Sequence, residues 1–111
     1  MKKTTMAAGV MALLGCIFST VAAAQSPATG QQALYTKSLA ATCANCHGTN
    51  GQVVAGSSVT SLAGLDKAYF TAQMKAFKSG TRPATVMHQI SKGYSDAQVE
   101  SLATFFAAQK K

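Results

Sequence analysis

Cys43-Ala44-Asn45-Cys46-His47 is the stretch that decides the fold. Two thiols three positions apart, followed at once by an imidazole, form the c-type haem attachment pattern. The spacing suits that chemistry. Near a helix end, Cys43 and Cys46 reach two vinyl groups on one edge of a porphyrin. His47, next in sequence, is then directed beneath the ring, where a nitrogen can bind iron as the proximal ligand. Thioether bonds keep the cofactor in place even when an axial bond breaks.

Other uses of the same residues fit less well. A zinc site needs about four ligands, and beyond Cys43, Cys46 and His47 the exported chain offers only His88 as a further His or Cys. A thioredoxin-like redox pair needs a βαβ setting, and no strand period is found in this chain. An exported C-x-x-C can also close as a structural disulfide. Motif, export signal and helical pattern together point to haem.

The export signal lies upstream. The chain has 111 residues and opens Met1-Lys2-Lys3, runs apolar from Met6 to Phe18 and reaches Ala22-Ala23-Ala24-Gln25. A basic start, an apolar run and an A-x-A site predict a secretory signal peptide over residues 1–24 and a domain over residues 25–111. The apolar run is too short to span a bilayer core of about 30 Å. Leu13-Leu14-Gly15-Cys16 resembles a lipobox. The apolar run continues beyond Cys16, so soluble export to the periplasm is the expectation, and no membrane association is expected unless Cys16 is lipidated. A domain this short excludes Rossmann and barrel enzymes. It also buries only about 60–65% of its unfolded surface, so it needs a covalent or cofactor-based addition to its core.

Charge excludes one partner class. The full chain has 10 Lys and Arg against 3 Asp and Glu, a formal charge of +7. An exported protein without an arginine cluster or lysine run is not expected to read nucleic acid. Lys67, Lys75 and Lys78 fall within one arc of roughly 80° on a predicted helix. That arc is either a solvated face or a docking edge for an acidic protein.

The remaining pattern is helical. After a polar lead-in, Gln31 to Ala41 reads as a helix with Leu34 or Tyr35 and Leu39 on one face. Gly48 to Gly64 reads as a loop. Asp66 is a candidate N-cap for a helix carrying Phe70, Met74 and Phe77 and closed by Lys78 and Gly80. A brief helical piece is predicted from Ala84 to Ser91. Ser95-Asp96-Ala97-Gln98 is a capping box for the last helix, on which Val99, Leu102, Ala103 and Phe106 form one stripe. The fold class is all-α, with three to four short helices.

At these residues the chain resembles the class I c-type cytochromes. The likeness runs from about Gly30 to Gln109 and rests on C-A-N-C-H-G after an N-terminal helix, a Met some forty residues on, and Leu102-Ala103-Thr104-Phe105-Phe106. That resemblance implies short helices around one covalently bound haem c. It also implies a methionine as distal iron ligand. Met74 sits on an apolar helix face and reads as core filler, whereas Met87 lies where the family places its ligand. His88 is the adjacent competing donor and is expected to be exposed or locally bonded. The family commonly has Pro-x-Leu after the haem loop, its proline carbonyl accepting from the proximal histidine. The matching stretch here is Thr60-Ser61-Leu62, so the carbonyl must come from Thr60 or a neighbour. Phe105 stands where the family usually has a tyrosine.

The function implied is one without substrate chemistry. With His47 and Met87 both bound, iron has no open position, and the protein carries one electron at a potential raised by methionine. Asp66, Asp96 and Glu100 read as helix-start residues, so no catalytic pair is expected and the chain is not an enzyme. Phe77-Lys78-Ser79-Gly80 and Thr85-x-Met87-x-x-Ile90-x-Lys92-Gly93-Tyr94-Ser95 look like the cytochrome subunit of flavocytochrome c sulfide dehydrogenase. That likeness implies a flavin-bearing, sulfide-oxidising partner. The alternatives are a free soluble shuttle to a terminal oxidase or reductase and, against the Met87 assignment, a haem peroxidase or gas sensor.

Overall fold

The computed structural model describes residues 27–111. The expected leader, residues 1–24, and Cys16 within it lie outside the described residues. Four helices succeed one another: α1 Pro27–His47, α2 Lys67–Ser79, α3 Met87–Ile90 and α4 Asp96–Ala107. Single 3₁₀ turns stand at Thr49–Gly51 and Ser91–Gly93, and no strand occurs among the described residues. The architecture is all-α among the described residues, with four helices, as the sequence pattern predicts. No helix among the described residues is long and apolar enough to cross a membrane.

The first helix is longer at both ends than its apolar spacing predicts. Its described span begins at Pro27, upstream of the Gln31 that the spacing predicts. It also carries the whole C-x-x-C-H run, since nothing between Ala41 and His47 breaks a helix. Gly48 ends it. Its N–H donates to the Ala44 carbonyl at 3.0 Å, and its φ of 77° turns the chain away. The predicted inward face of α1 is corrected in one place: Leu34 is 66% exposed. Leu39 packs on the core, and the Tyr35 hydroxyl accepts from Gln98 Nε2 at 2.6 Å, tying α1 to α4.

Caps and stripes of the later helices agree with the sequence. The Asp66 carboxylate accepts from the Tyr69 N–H at 2.8 Å, and Gly80, left-handed at φ 81°, closes α2. Ser95 and Gln98 exchange side-chain and backbone bonds at 2.8 and 3.2 Å, a complete capping box. Ala40 of α1, Phe70 and Met74 of α2, and Val99, Leu102, Ala103 and Phe106 of α4 form the core. Phe106 is its centre. Fully buried, it lies 5.7 Å from the Phe70 ring and 5.2 Å from the Phe105 ring, edge-on to the latter. Phe77, the remaining member of the predicted α2 stripe, is only half-buried.

The lysine arc on α2 faces α4. Lys67 pairs with Glu100 and Lys78 with Asp96, each at 3.5 Å, and Lys78 also donates to the Tyr94 carbonyl at 2.7 Å. Asp96 and Glu100 thus bridge to α2 besides standing early in α4. These half-exposed pairs contribute little to stability.

Two substitutions test this frame in the haem-bearing protein. Phe106→Ala is expected to cost about 3–5 kcal/mol by denaturant unfolding. Thr104→Ala, on the exposed face of α4, should stay within about 0.5 kcal/mol; equal costs would contradict the core assignment. A second pair tests the turn. A Cβ on Gly48 would lie 1.8 Å from the Gln52 carbonyl oxygen, whereas one on Gly56, also left-handed, meets nothing within 4 Å. Gly48→Ala should therefore cost well over about 1 kcal/mol, and Gly56→Ala only about the left-handed penalty.

Candidate haem site

The C-x-x-C-H run, the loop after it, one face of α2 and the start of α3 enclose a cavity of about 380 Å³. That volume lies within the range of about 300–1,000 Å³ found for cofactor sites. All four residues singled out in the sequence line it: Cys43, Cys46, His47 and Met87. They come from opposite parts of the chain. The first three occupy the last turns of α1, and Met87 is the first residue of α3.

His47 is oriented by backbone. Its Nδ1–H donates to the Thr60 carbonyl at 2.7 Å, which leaves the Nε2 lone pair for a metal. Thr60 thus supplies the carbonyl for which the family commonly uses a proline. The loop holding Thr60 is pinned at Gly51, whose carbonyl accepts from the Leu62 N–H at 2.8 Å, the Ala63 N–H at 3.1 Å and the Ser61 hydroxyl at 2.8 Å. Gly51 itself sits against the core. With φ at 80°, a Cβ there would lie 2.8 Å from Phe106 Cδ1 and from Leu62 Cβ.

The two thiols differ in setting. Cys46 is exposed and Cys43 half-buried. Burial pushes the Cys43 thiol above its ordinary value, with the neighbouring Thr42 and Tyr94 hydroxyls opposing that rise. Those hydroxyls also meet each other at 2.6 Å, fastening α1 to the segment just after α3.

The two methionines separate as expected. Met74 is buried at 6% exposure within the core and only shows a side to the cavity. Met87 is half-buried and packs against the core from the cavity side. His88 is half-buried instead of exposed or locally bonded. It does not line the cavity, and its Nδ1 is buried without a hydrogen-bond partner. The helical turn between neighbours at the start of α3 sends the two side chains different ways.

The walls suit a large flat apolar group. Leu62, Leu65, Phe70, Phe77 and Ile90 supply the hydrocarbon; the two thiols suit attachment to vinyl groups, and the imidazole and the thioethers of Met74 and Met87 are donor types appropriate to haem iron. Two lining residues escape a reading of the sequence. Tyr94 is visible there only as part of a run, and Arg82, the chain's single arginine, only as a residue before a proline.

Known proteins give the same frame. The cytochrome c family model matches residues 28–110. Among curated relatives, the thiosulfate dehydrogenase electron acceptor of Thiomonas intermedia is 40% identical over 60% of this chain and 32% of its own length. The cytochrome subunit of sulfide dehydrogenase of Chlorobaculum tepidum is 34% identical over 66% of this chain and 64% of its own length. Cytochrome c-554(548) of Halomonas halodenitrificans is 32% identical over 62% of this chain and 86% of its own. The chain thus spans less than two thirds of both dehydrogenase-related proteins. Electron carriers, and the electron-accepting partners of dehydrogenases, are the company it keeps. The chain belongs to the cytochrome c family, in its class I group, the family of covalently bound haem c.

Proposed function

We propose that this chain is a periplasmic mono-haem cytochrome that accepts electrons from a flavoprotein, as the cytochrome subunit of a sulfide dehydrogenase. One observation carries the electron-transfer part: His47 and Met87 line the same cavity, with Met87 half-buried at the start of α3, whereas Met74, which also lines it, is packed into the core. In this reading Cys43 and Cys46 hold the porphyrin covalently, His47 is the proximal ligand and Met87 the distal one. Held by Cys43 and Cys46 and ligated by His47 and Met87, haem c would supply a one-electron iron couple. The chain's own residues do the rest. The Thr60 carbonyl fixes the His47 tautomer, and the apolar walls keep water from the buried face.

The sulfide assignment is supported by the Chlorobaculum relative and by the run from Phe77 to Ser95. A thiosulfate-oxidising partner is the second reading, favoured by the Thiomonas relative. The arc of Lys67, Lys75 and Lys78 is a weaker docking edge than its spacing suggests, because Glu100 and Asp96 occupy two of its three charges. The exposed apolar residues Tyr69, Val86 and Ile90, which rim the cavity, are the better contact surface.

Haem should survive acid–acetone extraction, and mass spectrometry should place it on the peptide bearing Cys43 and Cys46; freely extracted haem would overturn the attachment. Met87→Ala should admit carbon monoxide to the reduced protein and lower its potential. Met74→Ala should cost about 2–5 kcal/mol and leave the spectrum unchanged. The reverse pattern would make Met74 the ligand.

The partner is tested by stopped-flow reduction with a sulfide-charged flavoprotein. A subunit that meets its partner through the apolar rim should co-purify with it. Its reduction rate should change little as salt shortens the Debye length from about 10 Å at 0.1 M to about 3 Å at 1 M, whereas a steep fall without co-purification would favour a free shuttle. Failure of sulfide to drive reduction, with thiosulfate succeeding through its own dehydrogenase, would favour the second reading.

A further inference from the structure

We propose that Tyr94 is a positioning residue for the distal ligand: its hydroxyl, held on Thr42 beside the attachment cysteine Cys43, latches the Met87 segment shut over the haem. The inference rests on the reading of Cys43 and Cys46 as attachment points and of Met87 as distal ligand. Tyr94 lines the cavity and ends the run that Met87 begins. It is engaged twice. Its hydroxyl meets Thr42 Oγ1 at 2.6 Å, and its carbonyl accepts from Lys78 Nζ at 2.7 Å. One residue is thereby fastened to α1 through its side chain and to α2 through its backbone.

The direction of the hydroxyl bond follows from its neighbour. A threonine hydroxyl has a single hydrogen, and Thr42 donates it to the Leu39 carbonyl at 2.6 Å. Tyr94 is therefore the donor and Thr42 the acceptor, in a chain whose two bonds polarise each other. The far end of that chain is fixed. Thr42 directly precedes Cys43 in α1, so the acceptor moves with the attached edge of the porphyrin.

Met87 needs such a latch because its own helix supplies little hold. α3 spans four residues, none of them fully buried, and Pro83, Ala84 and Thr85 before it lie outside any helix. Downstream, α3 passes directly into the 3₁₀ turn Ser91–Gly93, which closes with the Tyr94 N–H on the Ser91 carbonyl at 3.3 Å. Ser91 is fully buried, yet its hydroxyl makes no hydrogen bond, so it seats the turn by packing alone. The run from Met87 to Tyr94 is thus one short helical lever, fastened by polar bonds at its Tyr94 end. A thioether is a neutral donor, so the time Met87 spends on the iron depends on how firmly this lever is held. When the lever swings out the Tyr94 bond must break, and the net worth of that bond biases the closed state by roughly two- to tenfold.

The test uses the mature haem-bearing protein, with imidazole as a probe that captures the iron only when Met87 is off it. The oxidised protein is titrated with imidazole while the weak methionine–iron band at the red edge of the spectrum is followed. Tyr94→Phe keeps the ring and loses the donor, and it should bind imidazole about threefold or more tightly than the wild type. Thr42→Val should do the same, and Thr42→Ser should restore the wild-type affinity. The double variant should add little to either single one, because both remove the same bond. Tyr35→Phe is the control. It loses a comparable hydroxyl bond, to Gln98 at 2.6 Å, which joins α1 to α4 outside the cavity, and it should leave imidazole affinity unchanged. A gap below about threefold between Tyr94→Phe and Tyr35→Phe overturns the latch, and a larger one upholds it. Fully additive effects in the double variant would likewise overturn it, since the two residues would then act separately. Should Tyr94→Phe not mature, Thr42→Val carries the same comparison. A wild-type protein without the methionine–iron band, or one that loses it in Met74→Ala and keeps it in Met87→Ala, would instead fail the ligand reading beneath the proposal, so the two failures are told apart.

Discussion

The contact between Gly51 and Phe106 is the constraint on which the rest of the structure depends. Only a residue without a side chain lets the loop backbone come this close to the buried ring, since a Cβ would stand 2.8 Å from it. From that position the Gly51 carbonyl gathers three donors from the stretch Ser61 to Ala63. The stretch so fixed presents the Thr60 carbonyl to His47. Core packing of α4 and orientation of the imidazole are therefore one arrangement. The absent proline matters less than the sequence implies, because hydrogen bonds at Gly51 do the work of a rigid ring.

A short chain shows the usual economy of a cofactor fold. Seven residues from three helices make the contiguous core, and the other apolar faces of Leu62, Leu65, Phe77 and Ile90 turn to the cavity instead. Burying those faces against a porphyrin adds apolar contact that the polypeptide alone does not supply. The same cavity collects the two thiols, the imidazole and the two methionines, and no carboxylate lines it. In the proposed reading, Cys43 and Cys46 would hold the haem and His47 and Met87 would hold its iron.

Local signals are legible in the sequence where a single physical rule governs. The capping box at Ser95, the Asp66 cap and the buried stripe of α4 each depend on residues a turn apart, and all are present. Cys43, Cys46, His47 and Met87, picked by the attachment spacing and by the family's methionine distance, all come to line one cavity. Of the two candidates for the inner face of α1, Leu34 turns outward and Tyr35 bonds Gln98 of α4 through its hydroxyl, a choice that spacing alone does not make. The partners of Lys67 and Lys78 are not legible for a related reason: helical spacing shows which residues share an arc but not that Glu100 and Asp96 lie across from it. Arg82 and Tyr94 carry no such signal. Their places in the cavity wall arise from tertiary neighbours many residues away, and no periodicity marks them.

The central claim is that His47 and Met87 fill both axial positions of the covalently held haem, leaving an electron carrier with no open iron site. X-ray absorption at the iron edge of the purified oxidised protein tests it most directly. The account predicts low-spin iron with one sulfur neighbour beside nitrogen ligands. High-spin iron, or a shell of nitrogen and oxygen without sulfur, would contradict it.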